Sequence, residues 1–174
     1  PETKSVQGSA AMLLTTFLIV IISCQMAMSL GYYNLSPARI VWIAAVVGIM
    51  AMASEVISKQ GSDNLTVPLG SAFAMFYLLT ESTHDGLIFS FGMWLALVIA
   101  LISYRLHFLD GGGAVALFLL GTLVFGVGRW TFSVPILAFF ILSSLLSKMG
   151  KKRKTTLQSV FEKSGRRDAA QVLA

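Results

Sequence analysis

The chain has 174 residues, 56% of them hydrophobic and 12% charged, with a mean hydropathy of +0.79 and a formal net charge of +5. That little polar surface cannot cover a water-soluble domain of this size, so the composition points to an integral membrane protein. A single cysteine, Cys24, excludes an internal disulfide and argues against a cysteine-based metal site, and no nucleic-acid-binding motif accompanies the positive charge.

Taken in order, the chain starts at Pro1, without a signal-peptide pattern, and reads as a piece of a longer protein. A polar start, Lys4-Ser5-Val6-Gln7-Gly8-Ser9, leads into an apolar run over about 9–30. Gly31-Tyr32-Tyr33-Asn34-Leu35-Ser36-Pro37 then breaks the chain, because Gly permits a left-handed residue and Pro presets φ for a helix start. A second run, about 38–57, closes near Glu55. The connector Ser58-Lys59-Gln60-Gly61-Ser62-Asp63-Asn64 follows, and a third run covers about 65–80. Further runs at about 86–104, 114–128 and 132–147 flank the segment Arg105-Leu106-His107-Phe108-Leu109-Asp110-Gly111-Gly112-Gly113, whose three glycines predict a hinge or loop.

By the length needed to cross hydrocarbon, these runs predict an all-α, polytopic membrane protein of about six transmembrane helices, the third, fifth and sixth short. Ala44 with Gly48, and Gly70 with Ala74, predict close helix packing. The basic residues Lys148, Lys151, Lys152, Arg153, Lys154, Lys163, Arg166 and Arg167 make a basic C-terminal segment and assign both ends to the cytoplasm. Topology then puts the start, the 58–64 connector, the 105–113 segment and the tail at one membrane face. The two glycosylation-type triplets, at Asn34 and Asn64, lie close to the membrane and carry little weight.

Four constellations bear on chemistry. Gly8 and Ser9, with Lys4 before them, offer backbone N–H groups and a mobile charge at a helix start, where a phosphate is favoured; a serine cap with a snorkelling lysine has the same pattern. Glu55, Asp63 and Asn64 read either as a helix-end acid and plain N-caps, or as oxygen donors for Mg²⁺, which uses one or two carboxylates and bridges to phosphate. The 105–113 segment is not a nucleotide fingerprint, since no strand precedes it, and a domain linker is its plainer reading. In the tail, Asp168-Ala169-Ala170-Gln171 predicts a capping box, and Arg166 and Arg167 before it suit a phosphate or diphosphate.

Two resemblances rest on these residues. Lys4 to Met12, with Glu55, Ser58, Gly61 and Asp63-Asn64-Leu65-Thr66-Val67-Pro68, resembles the closing part of the CTP-dependent lipid-alcohol kinases, which include dolichol kinase, the CTP-type diacylglycerol kinase and phytol kinase. That family has Glu-Gly-Ser where this chain has Gln7-Gly8-Ser9. Leu109-Asp110-Gly111-Gly112-Gly113-Ala114, Phe139 to Ser144, Lys154 and Gly165 to Ala174 resemble the start of a membrane family that includes phytyl-phosphate kinase and transmembrane protein 19, which continues with Asn-Gly after this point.

Together they imply three parts: 1–80 as the end of a lipid-alcohol kinase-like domain, 81–108 as a connecting span and linker, and 109–174 as the start of a phytyl-phosphate kinase-like domain. The implied function is phosphorylation of an isoprenoid or lipid alcohol, and of its monophosphate, from CTP with Mg²⁺. Glu55 and Asp63 are the catalytic and metal residues on this reading, and Lys4, Gly8, Ser9, Asn64, Arg166 and Arg167 bind nucleotide or phosphate. The alternative is a multi-pass transporter or lipid-handling protein without catalysis, which would favour charges nearer mid-span and paired broken helices.

Overall fold

A computed structural model describes residues 5–58, 62–149 and 168–173, all the regular structure there being helical. The elements are α1 (Val6–Ser29), α2 (Pro37–Ile57), α3 (Asp63–Thr80), α4 (Thr83–Arg105), α5 (Gly111–Gly126), α6 (Arg129–Met149) and α7 (Ala169–Leu173). Among these, α1, α2 and α4 are long and apolar enough to cross a membrane, whereas α5 and the 129–143 part of α6 are shorter apolar helices. Three such helices therefore stand where six spans were expected. The sixteen residues of α5 rise only about 24 Å, and Asp63, Asn64, Thr66, Ser71 and Thr80 dilute the apolar character of α3.

The chain divides into two compact units, residues 1–87 and 88–174, with the division inside α4.

In the first unit α2 is central, packing on both α1 and α3. Just over half of its most apolar stretch is buried (56%), against 11% for α1. The expected small-residue contacts are present. Ala44 and Ala74 are wholly buried, a Cβ on Gly48 would lie 3.2 Å from the Leu13 carbonyl oxygen of α1, and one on Gly70 would lie 2.9 Å from Ser54 Oγ of α2. Between α1 and α2 the turn is a Schellman motif: Gly31, at φ 79°, donates to the Met28 carbonyl, and Tyr32 N–H donates to that of Ala27. Ser36 then caps the Arg39 N–H, and Pro37 begins α2.

Arg39 does more than mark a loop. Its guanidinium donates to the carbonyls of Leu78 (3.2 Å) and Glu81 (3.1 Å), where α3 ends and its unpaired carbonyls carry the negative end of the helix dipole. Arg39→Ala is expected to cost about 1.5–3 kcal/mol, the range for hydrogen bonds to a charged group, with Arg39→Lys intermediate. Denaturant titration in micelles would read the loss.

In the second unit, α4 ends in another Schellman motif, with His107 at φ 60° in the position usually held by Gly: His107 N–H donates to Tyr104 and Phe108 N–H to Ser103. The imidazole Nδ1 lies 2.9 Å from the Arg105 carbonyl, so this histidine closes a helix. His107→Gly removes a left-handed strain of about 1 kcal/mol and is expected to leave the protein as stable or slightly more so, by the same titration.

The predicted hinge at Gly111–Gly113 is instead the first turn of α5. Asp110 accepts from the Gly113 N–H at 2.7 Å, and α7 packs on α5; the cap and the packing offset the entropy that three glycines lose.

Several hydroxyl groups within the apolar helices are satisfied locally, although the buried Ser71 Oγ of α3 is not. Ser23, Thr80 and Thr122 each donate to the carbonyl four residues earlier, which removes the cost of an unpaired polar group in hydrocarbon.

Candidate functional site

One end of the first unit gathers the start of α1, the end of α2 and the start of α3. Ser5 caps α1 by accepting from Gly8 N–H at 3.0 Å, and Ser9 N–H donates to the Ser5 carbonyl. Both amide groups considered for a phosphate are thus engaged within the helix. What Ser9 offers outward is its hydroxyl, which donates to Glu55 Oε2 at 3.4 Å. Forty-six residues separate these two in the chain, and the antiparallel packing of α1 on α2 brings them together.

Glu55 lies in the last turn of α2, half-buried. At this depth a carboxylate needs a partner or water, and the Ser9 hydroxyl provides one contact.

Helix α3 begins at Asp63, one residue earlier than an Asp63 N-cap allows and two earlier than an Asn64 N-cap. Ser62 is the N-cap and makes no side-chain cap bond. Asp63 is half-buried in the first turn, where a negative charge suits the helix dipole; Asn64 beside it is exposed. Pro68 lies inside the helix and so leaves the Asn64 carbonyl without its intrahelical donor.

Ser58 and Thr66 join the two helices: their hydroxyl oxygens are 2.5 Å apart, and Ser58 is 5% exposed. Both belong to the Glu55 to Pro68 pattern that resembles the lipid-alcohol kinases. Their separation by eight residues, across a polar connector between two helices, is the signal that could have found the contact.

Ser9, Glu55, Asp63 and Asn64 thus sit at one end of one unit, with Gly8 at the same helix start. Lys4 and the connector residues 59–61 lie outside the described residues, as do Arg166 and Arg167. Among the described residues no group of three or more His, Cys, Asp or Glu side chains could hold a metal ion. A fully protein-caged cation is therefore not what the described donors build. Glu55 and Asp63 are the carboxylates at this end of the unit.

The second unit brings together two of its quoted pieces. Helix α7 opens with the expected capping box, Gln171 N–H donating to Asp168 Oδ1 at 2.9 Å and Asp168 N–H to Gln171 Oε1 at 3.2 Å. It packs against the start of α5, where a Cβ on Gly112 would lie 3.7 Å from that of Ala169. The Leu109–Ala114 and Asp168–Leu173 segments, more than fifty residues apart, are neighbours.

Comparison with known proteins finds a family match within this second half. Residues 94–174 match the family described as Integral membrane protein DUF92. The chain is also 35% identical over 83 residues to "Protein PGR" of Arabidopsis thaliana, an alignment covering 48% of this chain and 28% of that protein. The chain thus matches little more than a quarter of that relative's length. No solved structure matches. Helical structure and membrane association are supported together by this likeness and by the three long apolar helices.

Proposed function

We propose that this chain is part of a membrane kinase that transfers the terminal phosphoryl group of a nucleoside triphosphate, CTP, to the hydroxyl of an isoprenoid or other lipid alcohol such as phytol or a polyprenol. The observation that carries this reading is the meeting of Ser9 with Glu55 beside the start of α3, which puts hydroxyl, carboxylate and helix-start groups at one end of the long apolar helices α1 and α2. Such an arrangement suits a substrate whose tail stays in lipid while its hydroxyl meets water-soluble reactants.

In the transfer, the alcohol oxygen attacks the γ-phosphorus, the bond to the bridging oxygen breaks, and the nucleoside diphosphate leaves; the hydroxyl proton passes to a carboxylate. Positioning and charge neutralisation carry most of the barrier reduction in such reactions. Mg²⁺, when bound, neutralises phosphate charge. Glu55 and Asp63 would hold it, with Asn64 beside them; Glu55 is held in orientation by Ser9. Gly8 and Ser9 border the nucleotide phosphates, with Lys4 contributing charge. In the second unit, the α5 and α7 starts with Arg166 and Arg167 would serve a lipid monophosphate. The choice of CTP and of the alcohol rests on the resemblance stated above.

The same reading has six passes, with both ends in the cytoplasm, drawn from the charge of the tail. Cysteine labelling from each side would check it, and 62–64 and the tail on opposite sides would overturn it.

The direct test supplies full-length protein in membranes with CTP labelled at the γ-phosphate and with phytol or geranylgeraniol. Labelled lipid phosphate is the expected product. Movement of lipid between leaflets without label would instead support a transporter.

A further inference from the structure

We infer that Thr66, through Ser58, is a positioning residue that sets the spacing of Glu55 and Asp63 and thereby the site's affinity for a divalent cation. The inference rests on the kinase reading for its purpose, but its geometry stands separately.

The direction of the hydrogen bonds can be assigned. Ser58 N–H donates to the Glu55 carbonyl, three residues back, and so does not serve the Ser54 carbonyl that a continuing α2 would have given it. Ser58 Oγ lies 2.7 Å from that Ser54 oxygen and supplies the missing donor. Having spent its one proton there, Ser58 Oγ accepts from Thr66 across the 2.5 Å contact. The Ser62 carbonyl, 3.1 Å from Thr66 Oγ1, already receives the N–H groups of Leu65 and Thr66, so it competes weakly for the Thr66 proton. The order is therefore Thr66 O–H to Ser58 Oγ, and Ser58 O–H to the Ser54 carbonyl.

This chain of two donors ties the first turn of α3 to the last turn of α2. Ser58 follows Glu55 by three residues and Thr66 follows Asp63 by three, about one helical turn in each case. The clasp is a side-chain tie that holds the start of α3 against α2. Supports behind a metal's ligands commonly change affinity by about 10–100-fold when removed.

The test uses the full-length protein in nanodiscs with Mn²⁺ as the probe, its binding read by electron paramagnetic resonance and its thermal unfolding recorded in parallel. Thr66→Val, which keeps shape but removes the donor, is expected to weaken Mn²⁺ binding about tenfold with the unfolding transition retained, and Thr66→Ser is expected to restore it to within about twofold. Thr66→Ala removes the same donor with less bulk and replaces the valine variant if that does not fold. Mn²⁺ affinity unchanged in the donor-deleted variant, or equally weak in Thr66→Ser, overturns the inference, as does a wild type that binds no Mn²⁺. Phosphoryl transfer to a lipid alcohol is measured on the same samples. A wild type that transfers phosphate while Thr66→Val binds Mn²⁺ normally refutes the clasp and leaves the kinase; the expected Mn²⁺ pattern without any transfer refutes the kinase and leaves the clasp.

Discussion

Asp63→Asn in the full-length protein is expected to lower the rate of lipid-alcohol phosphorylation by about 10²–10³-fold, the usual scale for deleting one preorganised electrostatic contact in a transition state. Asparagine keeps the shape and removes the charge, so the fold should survive. The stability change should be no more than about 0.3–1 kcal/mol, the worth of a carboxylate in the first turn of α3. Glu55→Gln is expected to behave alike, since its amide oxygen can still accept from the Ser9 hydroxyl 3.4 Å away. Initial rates with γ-labelled CTP, at several Mg²⁺ concentrations, separate a metal defect from a folding defect. Undiminished transfer by Asp63→Asn would remove the metal assignment for that residue.

Gly92→Ala is the substitution expected to damage the structure most. A Cβ there would stand 2.5 Å from the backbone N of Gly126 and 2.8 Å from its Cα and from the Phe125 carbonyl carbon. Backbone atoms cannot rotate aside, so α4 and α5 would have to separate. Overpacking of this kind costs about 1–3 kcal/mol and occasionally more, and the upper end is expected here. Gly112→Ala is the matched control within the same unit: its Cβ would meet nothing nearer than 3.5 Å, and alanine favours a helix's first turn over glycine. A denaturant titration in micelles should therefore show a large loss for the first variant and none for the second. Equal midpoints would show that the α4–α5 approach does not limit stability.

Much of the helix layout was legible in the sequence because each boundary carries its own chemistry. The second run was expected at about 38–57 and forms Pro37–Ile57, since Ser36 and Pro37 cap and start a helix whatever surrounds them. Asp168 and Gln171 were equally local. The glycines at 111–113 were misread because their helix depends on α7, which returns to pack there from more than fifty residues away. An apolar run is visible in sequence, but whether α3 and α5 reach across hydrocarbon depends on their realised length and polarity.

The candidate site was legible only in its residue types. Glu55 and Asp63 stand out as acids bordering apolar runs, yet that Glu55 meets Ser9 is a product of how α1 crosses α2. The pairing of Arg39 with the Leu78 and Glu81 carbonyls left no trace in the sequence, because its acceptors are main-chain atoms that every residue possesses.

The serines and threonines that bond back to their own helices have a consequence for assembly. Having spent their donors internally, Ser23, Thr80 and Thr122 have little left with which to adhere to a neighbouring helix, so cohesion in these regions falls to the fit of Ala, Gly and aromatic surfaces. Contacts of that kind are blind to pH and ionic strength and respond instead to bilayer thickness and lateral pressure.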